Sequence, residues 1–499
     1  MMNFEDNDKI KIKLQRHKWP DEIEQEKKKK RRYITSSIII VLVFAVGWTF
    51  GSVFYSPMNP IQDSNIARFE RVYDTLLSDW YFKQDMNDPA SEMIENAIKG
   101  MIEKNGDNHT SYMTEEESQQ FIDSIDMSFV GIGVQYQPAD SLITRVFKNS
   151  PAEQAGILAG DIMVTVDDLV ISDLDEDDDL KNYILGEKGS IVKIGVDRQG
   201  ETKVFDVERD TVNALTWGEM IDDKTGYIEI TSFGSALGEA TALYLESFKG
   251  QDAENLIVDL RDNGGGYLEA INNISQLFFE ADTTIYFEKF TSGKETEYKV
   301  KKSTIEPYKY NNIVVLINEN SASASEVFAL ALRDNLGASI VGTRSFGKGT
   351  VQRQSQDGVD NSYLKYTFAK WYSPLKENIH ESGIEPDYEV KLDDIFYETY
   401  TELETPIPNY DVVDEAVGYV QKALKFLGYH TGRTDSYYDV HTKDALHKYK
   451  QDKGLSVNDL IDHEVVLNIH SAVVNAWSTN KKEHDTQFKK ALEVIQLEP

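Results

Sequence analysis

The sequence predicts a multi-domain α/β protein: an N-terminal transmembrane helix, a helical segment, a β-rich module, an α/β core and a small all-α module at the C-terminus. Three observations predict it. An uncharged apolar run follows a basic cluster near the N-terminus, short strands with glycine punctuation fill residues 128–212, and apolar strands alternate with helical stretches from Lys224 to Ile395. At 499 residues the chain has length for about three domains. It is 40% hydrophobic and 27% charged, as a folded globular protein is. The net charge of −33 argues against general nucleic-acid binding, which needs clustered Lys and Arg to neutralise phosphates. The chain has no cysteine, so disulfides, thiol catalysis and Cys-based zinc sites are excluded.

Residues 1–33 are polar and charge-dense and read as a cytoplasmic tail ending in six consecutive basic residues, Lys27 to Arg32. The apolar stretch 34–55 carries no charge and includes Ile38-Ile39-Ile40-Val41-Leu42-Val43-Phe44. Roughly 20 such residues span a bilayer. The basic flank keeps the N-terminus in the cytoplasm, so the remaining chain lies outside, on the cell-wall side. A cleaved signal peptide is the alternative, but its apolar core is usually only about 7–15 residues.

In the helical segment, 62–126, Phe69, Val72, Tyr73, Leu76 and Leu77 recur at helical spacing. Next come Phe129-Val130-Gly131-Ile132-Gly133-Val134 and Ser150-Pro151-Ala152-Glu153-Gln154-Ala155-Gly156-Ile157, the second a short helix with Ser150 as N-cap and Pro151 at the first turn. With Gly160-Asp161 following, the segment 127–212 resembles a PDZ domain. That resemblance implies capture of a peptide C-terminus as an added strand, with Gly131, Ile132, Gly133 and Val134 forming the binding loop and strand. The core, 213–400, has the nearly all-apolar strands Leu256–Leu260 and Ile313–Ile317, as expected where both faces are covered. Beyond the linker prolines Pro406 and Pro408, residues 410–476 place Val417, Val420, Leu424 and Leu427 at helical spacing, followed by Leu427-Gly428-Tyr429, Ala445-Leu446 and Gly454-Leu455. This order resembles the three-helix peptidoglycan-binding domain, with Lys450 where Gln is frequent and Asn458-Asp459 where Asp-Gly is commoner. Residues 477–499 are read as a C-terminal tail.

The chemistry centres on Ser321-Ala322-Ser323-Ala324-Ser325-Glu326, at the junction of a buried strand and a helix. A hydroxyl there sits on a helix N-terminus whose free N–H groups can stabilise negative charge. Ser323-x-x-Glu326 is equally a capping box, and on this peptide alone the two readings stand level. Lys348 follows 25 residues later in Gly342-Thr343-Arg344-Ser345-Phe346-Gly347-Lys348-Gly349. This nearly spells a phosphate-binding loop, but Gly349 stands where the magnesium-ligating hydroxyl belongs. A lysine desolvated in a glycine-bordered turn can instead act as general base for a serine. Gln352, four residues on, is placed to hold its amine. No His-Glu-x-x-His or Gly-x-Ser-x-Gly is present.

These motifs, Ser-Ala-Ser-Ala-Ser-Glu followed by Phe-Gly-Lys-Gly-x-Val-Gln, resemble those of the carboxyl-terminal processing proteases, a family of Ser–Lys endopeptidases with an inserted PDZ domain. The resemblance runs from about residue 66 to 395. It implies Ser323 as nucleophile, Lys348 as base and Gln352 as its orienting partner. The backbone N–H of Ala324 would form half the oxyanion hole, with Gly265 or Gly266 (the latter favoured) of Asp259-Leu260-Arg261-Asp262-Asn263-Gly264-Gly265-Gly266 as the other half. One departure is Leu185-Gly186-Glu187-Lys188-Gly189, where many relatives carry Arg-Gly-x-x-Gly. The expected partners are proteins with apolar C-terminal tails, the membrane, peptidoglycan and a second copy of the chain, and no cofactor or metal is implied. The competing class is a wall-tethered scaffold without activity, which would have no need of Lys348.

Overall fold

The structure is a computed structural model and describes residues 24, 27–30, 64–174, 179–356, 361–400, 403 and 405–497. The expected anchor, 34–55, and most of the tail before it lie outside the described residues. Among those described, no helix is long and apolar enough to cross a membrane.

Described residues up to Met101 form a unit of their own. Here α1 (Ser64–Asp79) is followed by a short 3₁₀ turn and by α2 (Pro89–Glu103). The Tyr73 hydroxyl donates to the Ala90 carbonyl at 3.2 Å. The apolar stripe Ile66, Phe69, Val72 and Leu76 that sets the helical period is exposed.

The second unit starts with β1 (Ser111–Met113) and α3 (Glu115–Asp126), whose start Thr114 and Glu117 fix as a reciprocal capping box. The PDZ segment follows: β2 (Ser128–Gly131), β3 (Val134–Tyr136), β4 (Ile143–Val146), α4 (Pro151–Ala155), β5 (Ile162–Val166), β6 (Leu169–Val170), α5 (Lys181–Ile184), β7 (Ile191–Arg198), β8 (Glu201–Glu208) and β9 (Asp210–Asn213). Ser150 caps α4 by accepting from the Glu153 N–H. Alternate residues Val192, Ile194 and Val196 join Ile132, Ile143 and Met163 in a closed core. The first and last strands, β2 and β9, pair antiparallel, so the module enters and leaves the chain at one place.

The core sheet is built from β10 (Thr216–Met220), β11 (Thr225–Ile230), β12 (Asn255–Asp259), β15 (Asn312–Ile317), β16 (Ser339–Gly342) and β19 (Tyr388–Glu389), in that order and parallel except for β10. On one face, Leu256, Val258, Ile313 and Val315 pack against α6 (Leu237–Gly250), α7 (Leu268–Ser275) and α8 (Ala324–Leu336). On the other, Ile257, Val314 and Leu316 meet Phe488, Ala491, Val494 and Ile495. The near-continuous apolar runs are thus explained by burial of both faces. A second, antiparallel sheet holds β13 (Thr284–Phe290), β14 (Glu295–Lys299), β17 (Thr350–Gln356) and β18 (Tyr363–Tyr372), with β1 at its edge.

The C-terminal module packs α9 (Glu415–Phe426), α10 (Val440–Asp452) and α11 (His463–Thr479) around Val420, Leu424, Leu446 and Ile469, with a two-residue ribbon of β20 (Val412–Val413) and β21 (Tyr437–Tyr438). The two departures noted above form one unit. Buried Lys450 spends its three protons on the Asn458 carbonyl, the Asn458 side-chain oxygen and the Leu460 carbonyl, at 3.1, 2.8 and 2.5 Å. The module docks on the PDZ segment, where Ser471 Oγ donates to the Gly160 carbonyl and Asn475 Nδ2 to that of Ala159. Gly160 is needed twice, since its φ is +94° and a Cβ there would lie 2.7 Å from that of Asn475.

One expectation needs correcting. The stretch 477–499 is not a tail: α12 (Lys481–His484) and α13 (Thr486–Leu497) return to the α/β core, and α13 supplies the cover for its second face. Its apolar residues recur at helical spacing, and an exposed sheet face of Ile257, Val314 and Leu316 would otherwise be left to water.

Candidate active site

Strand β15 ends at Ile317, and the chain turns through Asn318–Ala322 before α8 begins. The three serines of the turn have different fates. Ser321 and Ser325 are fully buried, and their hydroxyls donate to the carbonyls of Leu260 and Asn263, each at 2.8 Å. Ser323 is half-buried and lines a cleft of about 930 Å³ that Lys348, Gln352 and Gly266 also line. Its backbone, at φ 57° and ψ −117°, is far from the extended conformation of an ordinary N-cap. Such a geometry costs of order 1–3 kcal/mol and persists only where the surroundings enforce it.

Glu326 enforces it. This fully buried carboxylate accepts from the Ser323 N–H at 2.8 Å, the Lys348 N–H at 2.9 Å, the Gly347 N–H at 2.7 Å and the Ser345 hydroxyl at 2.6 Å. The capping box was legible in the sequence, whereas its contacts to the lysine loop were not.

Lys348 precedes β17 and therefore leads into a strand, whereas the lysine of a phosphate-binding loop opens a helix. The flanking glycines admit close neighbours: a Cβ at Gly347 would lie 2.7 Å from the Gly383 nitrogen, and one at Gly349 would lie 2.7 Å from the His380 Cβ. The Lys348 carbonyl accepts from Trp371 Nε1 at 2.8 Å. Its amine makes no hydrogen bond among the described residues. Burial pushes its pKa down, the Lys365 ammonium adds to that, and Glu326 and Asp107 oppose it. Lys365, absent from the sequence reading, lines the same cleft with its ammonium 4.3 Å from the Phe121 ring centroid.

Gln352 reaches the cleft but does not bond Lys348. Its amide donates to Thr350 Oγ1 at 2.9 Å and to Thr367 Oγ1 at 3.1 Å. Its side-chain carbonyl makes no hydrogen bond among the described residues.

The glycine turn after β12 lies against the serine. A Cβ at Gly265 would stand 2.8 Å from that of Ser323 and 3.0 Å from the Ala324 nitrogen. The Gly265 N–H is taken by Asn263 Oδ1 at 2.9 Å. The PDZ residues Gly131, Ile132, Gly133 and Val134 stand apart from the cleft: Ile132 is buried, its carbonyl accepting from Ala152, and Gly133, at φ +82°, packs on Ser150. The PDZ strands nonetheless reach the cleft through Gln135 and Arg145, and Arg145 pairs with Glu229 of β11. Leu185 packs on Gly131, and Arg209 donates to the carbonyls of Ile184 and Tyr183 at 2.7 and 2.9 Å.

Comparison with known proteins identifies three segments of the chain. Residues 224–390 match the model of peptidase family S41, residues 129–208 that of the PDZ domain, and residues 413–465 that of a putative peptidoglycan binding domain. The carboxy-terminal processing protease CtpA of Bacillus subtilis (strain 168) is 31% identical over 446 residues, covering 87% of this chain and 91% of the relative. The chain belongs to the carboxy-terminal processing proteases. A second relative from the same organism, CtpB, is also 31% identical and covers 87% of the chain and 90% of its own length. A probable CtpA-like serine protease of Staphylococcus haemolyticus (strain JCSC1435) is 32% identical over 405 residues, covering 80% of the chain and 79% of its own length. Membership in this serine-protease family puts the three domains in one enzyme and leaves the roles of individual residues to the geometry above.

Proposed function

We propose that this carboxy-terminal processing protease cuts the C-terminal regions of extracytoplasmic proteins with a Ser323–Lys348 dyad. One observation carries the reading: of three neighbouring serines, only Ser323 opens on a cleft, and it does so beside a lysine whose burial favours the neutral amine. Neutral Lys348 takes the Ser323 proton as the hydroxyl oxygen attacks the peptide carbonyl. The oxyanion is met by the N–H groups of Ala324 and Gly266, because those of Ser323 and Gly265 are committed to Glu326 and Asn263. The Lys348 ammonium then protonates the leaving amine, and water, deprotonated by the same lysine, releases the acyl group. Gln352 offers its carbonyl to the amine throughout.

Gly131, Ile132, Gly133 and Val134 of the PDZ domain receive an apolar C-terminal tail by strand addition. Residues 34–55 anchor the chain with the enzyme outside the cytoplasm, the C-terminal module holds peptidoglycan, and the apolar stripe of α1 is covered by a second copy of the chain. Purified full-length protein in detergent should cleave an unfolded protein bearing an apolar tail, and Ser323→Ala should not. Equal cleavage by both would remove Ser323 from the mechanism, and no cleavage by either would favour the scaffold reading. Membrane fractionation is expected to place the chain in the carbonate-resistant pellet, whereas deletion of residues 34–55 should release it; recovery of the intact chain in the carbonate-soluble fraction would refute the anchor.

A further inference from the structure

The Ser–Lys pair is supplied by two segments that share no secondary structure. Ser323 closes the turn after β15, and Lys348 sits in the loop before β17. Correct placement of one does not fix the other, and a general base must be held within hydrogen-bond reach of the proton it takes. Thr343 Oγ1 donates to Glu319 at 2.8 Å and the Phe346 N–H to the Ser321 carbonyl at 3.0 Å, but only Glu326 bonds the backbones of Ser323 and Lys348 themselves.

We infer that Glu326 is a positioning residue for the reaction, its carboxylate clamping the nucleophile's backbone and the base's loop into one rigid unit. Each oxygen takes two donors: one accepts from the N–H groups of Ser323 and Lys348, the other from the Gly347 N–H and the Ser345 hydroxyl. Ser345 in turn accepts from the Ile384 N–H at 2.7 Å, so its own proton is directed at Glu326. All four partners are donors. A protonated carboxyl would set a fifth proton against them, so the clamp requires the anion. Charge-assisted hydrogen bonds are roughly twice as strong as neutral ones, and at this burial they are not diluted by water.

The arrangement has two consequences for catalysis. Engaging the Ser323 N–H holds the serine in its left-handed backbone conformation and leaves the next N–H, that of Ala324, as the free donor at the helix start. Engaging the N–H groups of Gly347 and Lys348 fixes the loop from which the lysine side chain enters the cleft. The anion also favours the protonated form of Lys348, against Lys365, which disfavours it. Glu326 is thus set to act on geometry and on proton affinity together, and the second effect separates it from a merely structural brace.

The inference rests on the dyad reading, so the test includes that reading's own controls. Full-length Glu326→Gln and Glu326→Leu are compared with Ser323→Ala and Lys348→Ala on one tail-bearing substrate, with thermal melting followed alongside. Glutamine can keep part of the acceptor set, so kcat is expected to fall about tenfold for Gln and about a hundredfold or more for Leu, with KM within about threefold of the parent. In Glu326→Gln the acid limb of the pH–rate profile should move to lower pH, because the anion that raises the lysine's proton affinity is gone while Lys365, Asp107 and the half-buried His109, whose own pKa the Lys348 charge lowers, remain. A folded Glu326→Gln with kcat within about twofold of the parent and an unmoved acid limb would overturn the clamp. If Glu326→Leu does not fold, the glutamine variant decides. Activity surviving in Ser323→Ala or Lys348→Ala would instead sink the dyad, a result distinguishable from failure of the clamp alone.

Discussion

Lys348→Ala is expected to lower kcat by about three orders of magnitude or more while leaving the melting curve and tail binding close to those of the parent. The amine makes no hydrogen bond among the described residues, so its removal leaves no buried partner unsatisfied. The carbonyl that receives Trp371 and the N–H that reaches Glu326 both belong to the backbone and survive the substitution. The pH dependence should have a definite sign. Burial, then Lys365, lowers the amine's pKa from the usual lysine value, so activity should appear as pH rises through that lowered value. Lys365→Gln removes the like charge and should shift the rising limb to higher pH. The stability linkage runs in the same direction. Between the folded and unfolded pKa the unfolded chain binds more protons at this position, so the cost of burying charged Lys348 is full at low pH and is relieved as pH rises through that window. Substantial residual cleavage by purified Lys348→Ala, or a rising limb indifferent to Lys365→Gln, would contradict the assignment of base or of its tuning.

Legibility in the sequence followed the range of the interactions concerned. The apolar runs of β12 and β15 and the strand–helix alternation reveal the core because each is a local pattern enforced by burial of both faces. Ser323 and Lys348 stand out because their motifs are contiguous. Glu326 was visible only as the local half of a capping box, since its other partners lie 19 to 22 residues away. The spacing of Gln352 from Lys348 suggested direct contact, but the register of β17 against β18 shifts between Val351 and Gln352. That irregularity sets Gln352 opposite Thr367, and its amide goes to the hydroxyls of Thr350 and Thr367 instead. Lys450 and Asn458 read in sequence as two independent departures from a pattern, but they are one unit, because the buried ammonium needs the oxygens that Asn458 supplies.

The segment read as a tail sustains the other large expected effect. Asp485, fully buried ahead of α13, accepts from Arg261 Nη1 at 3.0 Å and pairs with its second terminal nitrogen at 2.8 Å. Arg261 also holds Asp259, which accepts from the Tyr227 hydroxyl at 2.7 Å. Burial pushes the Asp259 carboxyl up, but the Arg261 charge and hydrogen bonds overcome it and keep it well below the usual carboxylate range. Asp485 further caps α13 through the Phe488 N–H at 2.8 Å. Asp485→Ala removes that cap and one of two anions from a buried guanidinium, and breaking such a pair costs about 3–5 kcal/mol. The core transition should fall accordingly, and limited proteolysis should release the C-terminal helix first. Catalysis should fall as well, because Arg261 opens the turn that carries Gly265 and Gly266 against Ser323, and a loosened turn moves the proposed oxyanion donor Gly266. Replacing Arg261, Asp259 and Asp485 together by apolar residues of similar volume should recover much of the stability but not the activity. An Asp485→Ala protein with the parent's melting temperature and kcat would show that the last helix is an ornament on the catalytic core rather than one of its walls.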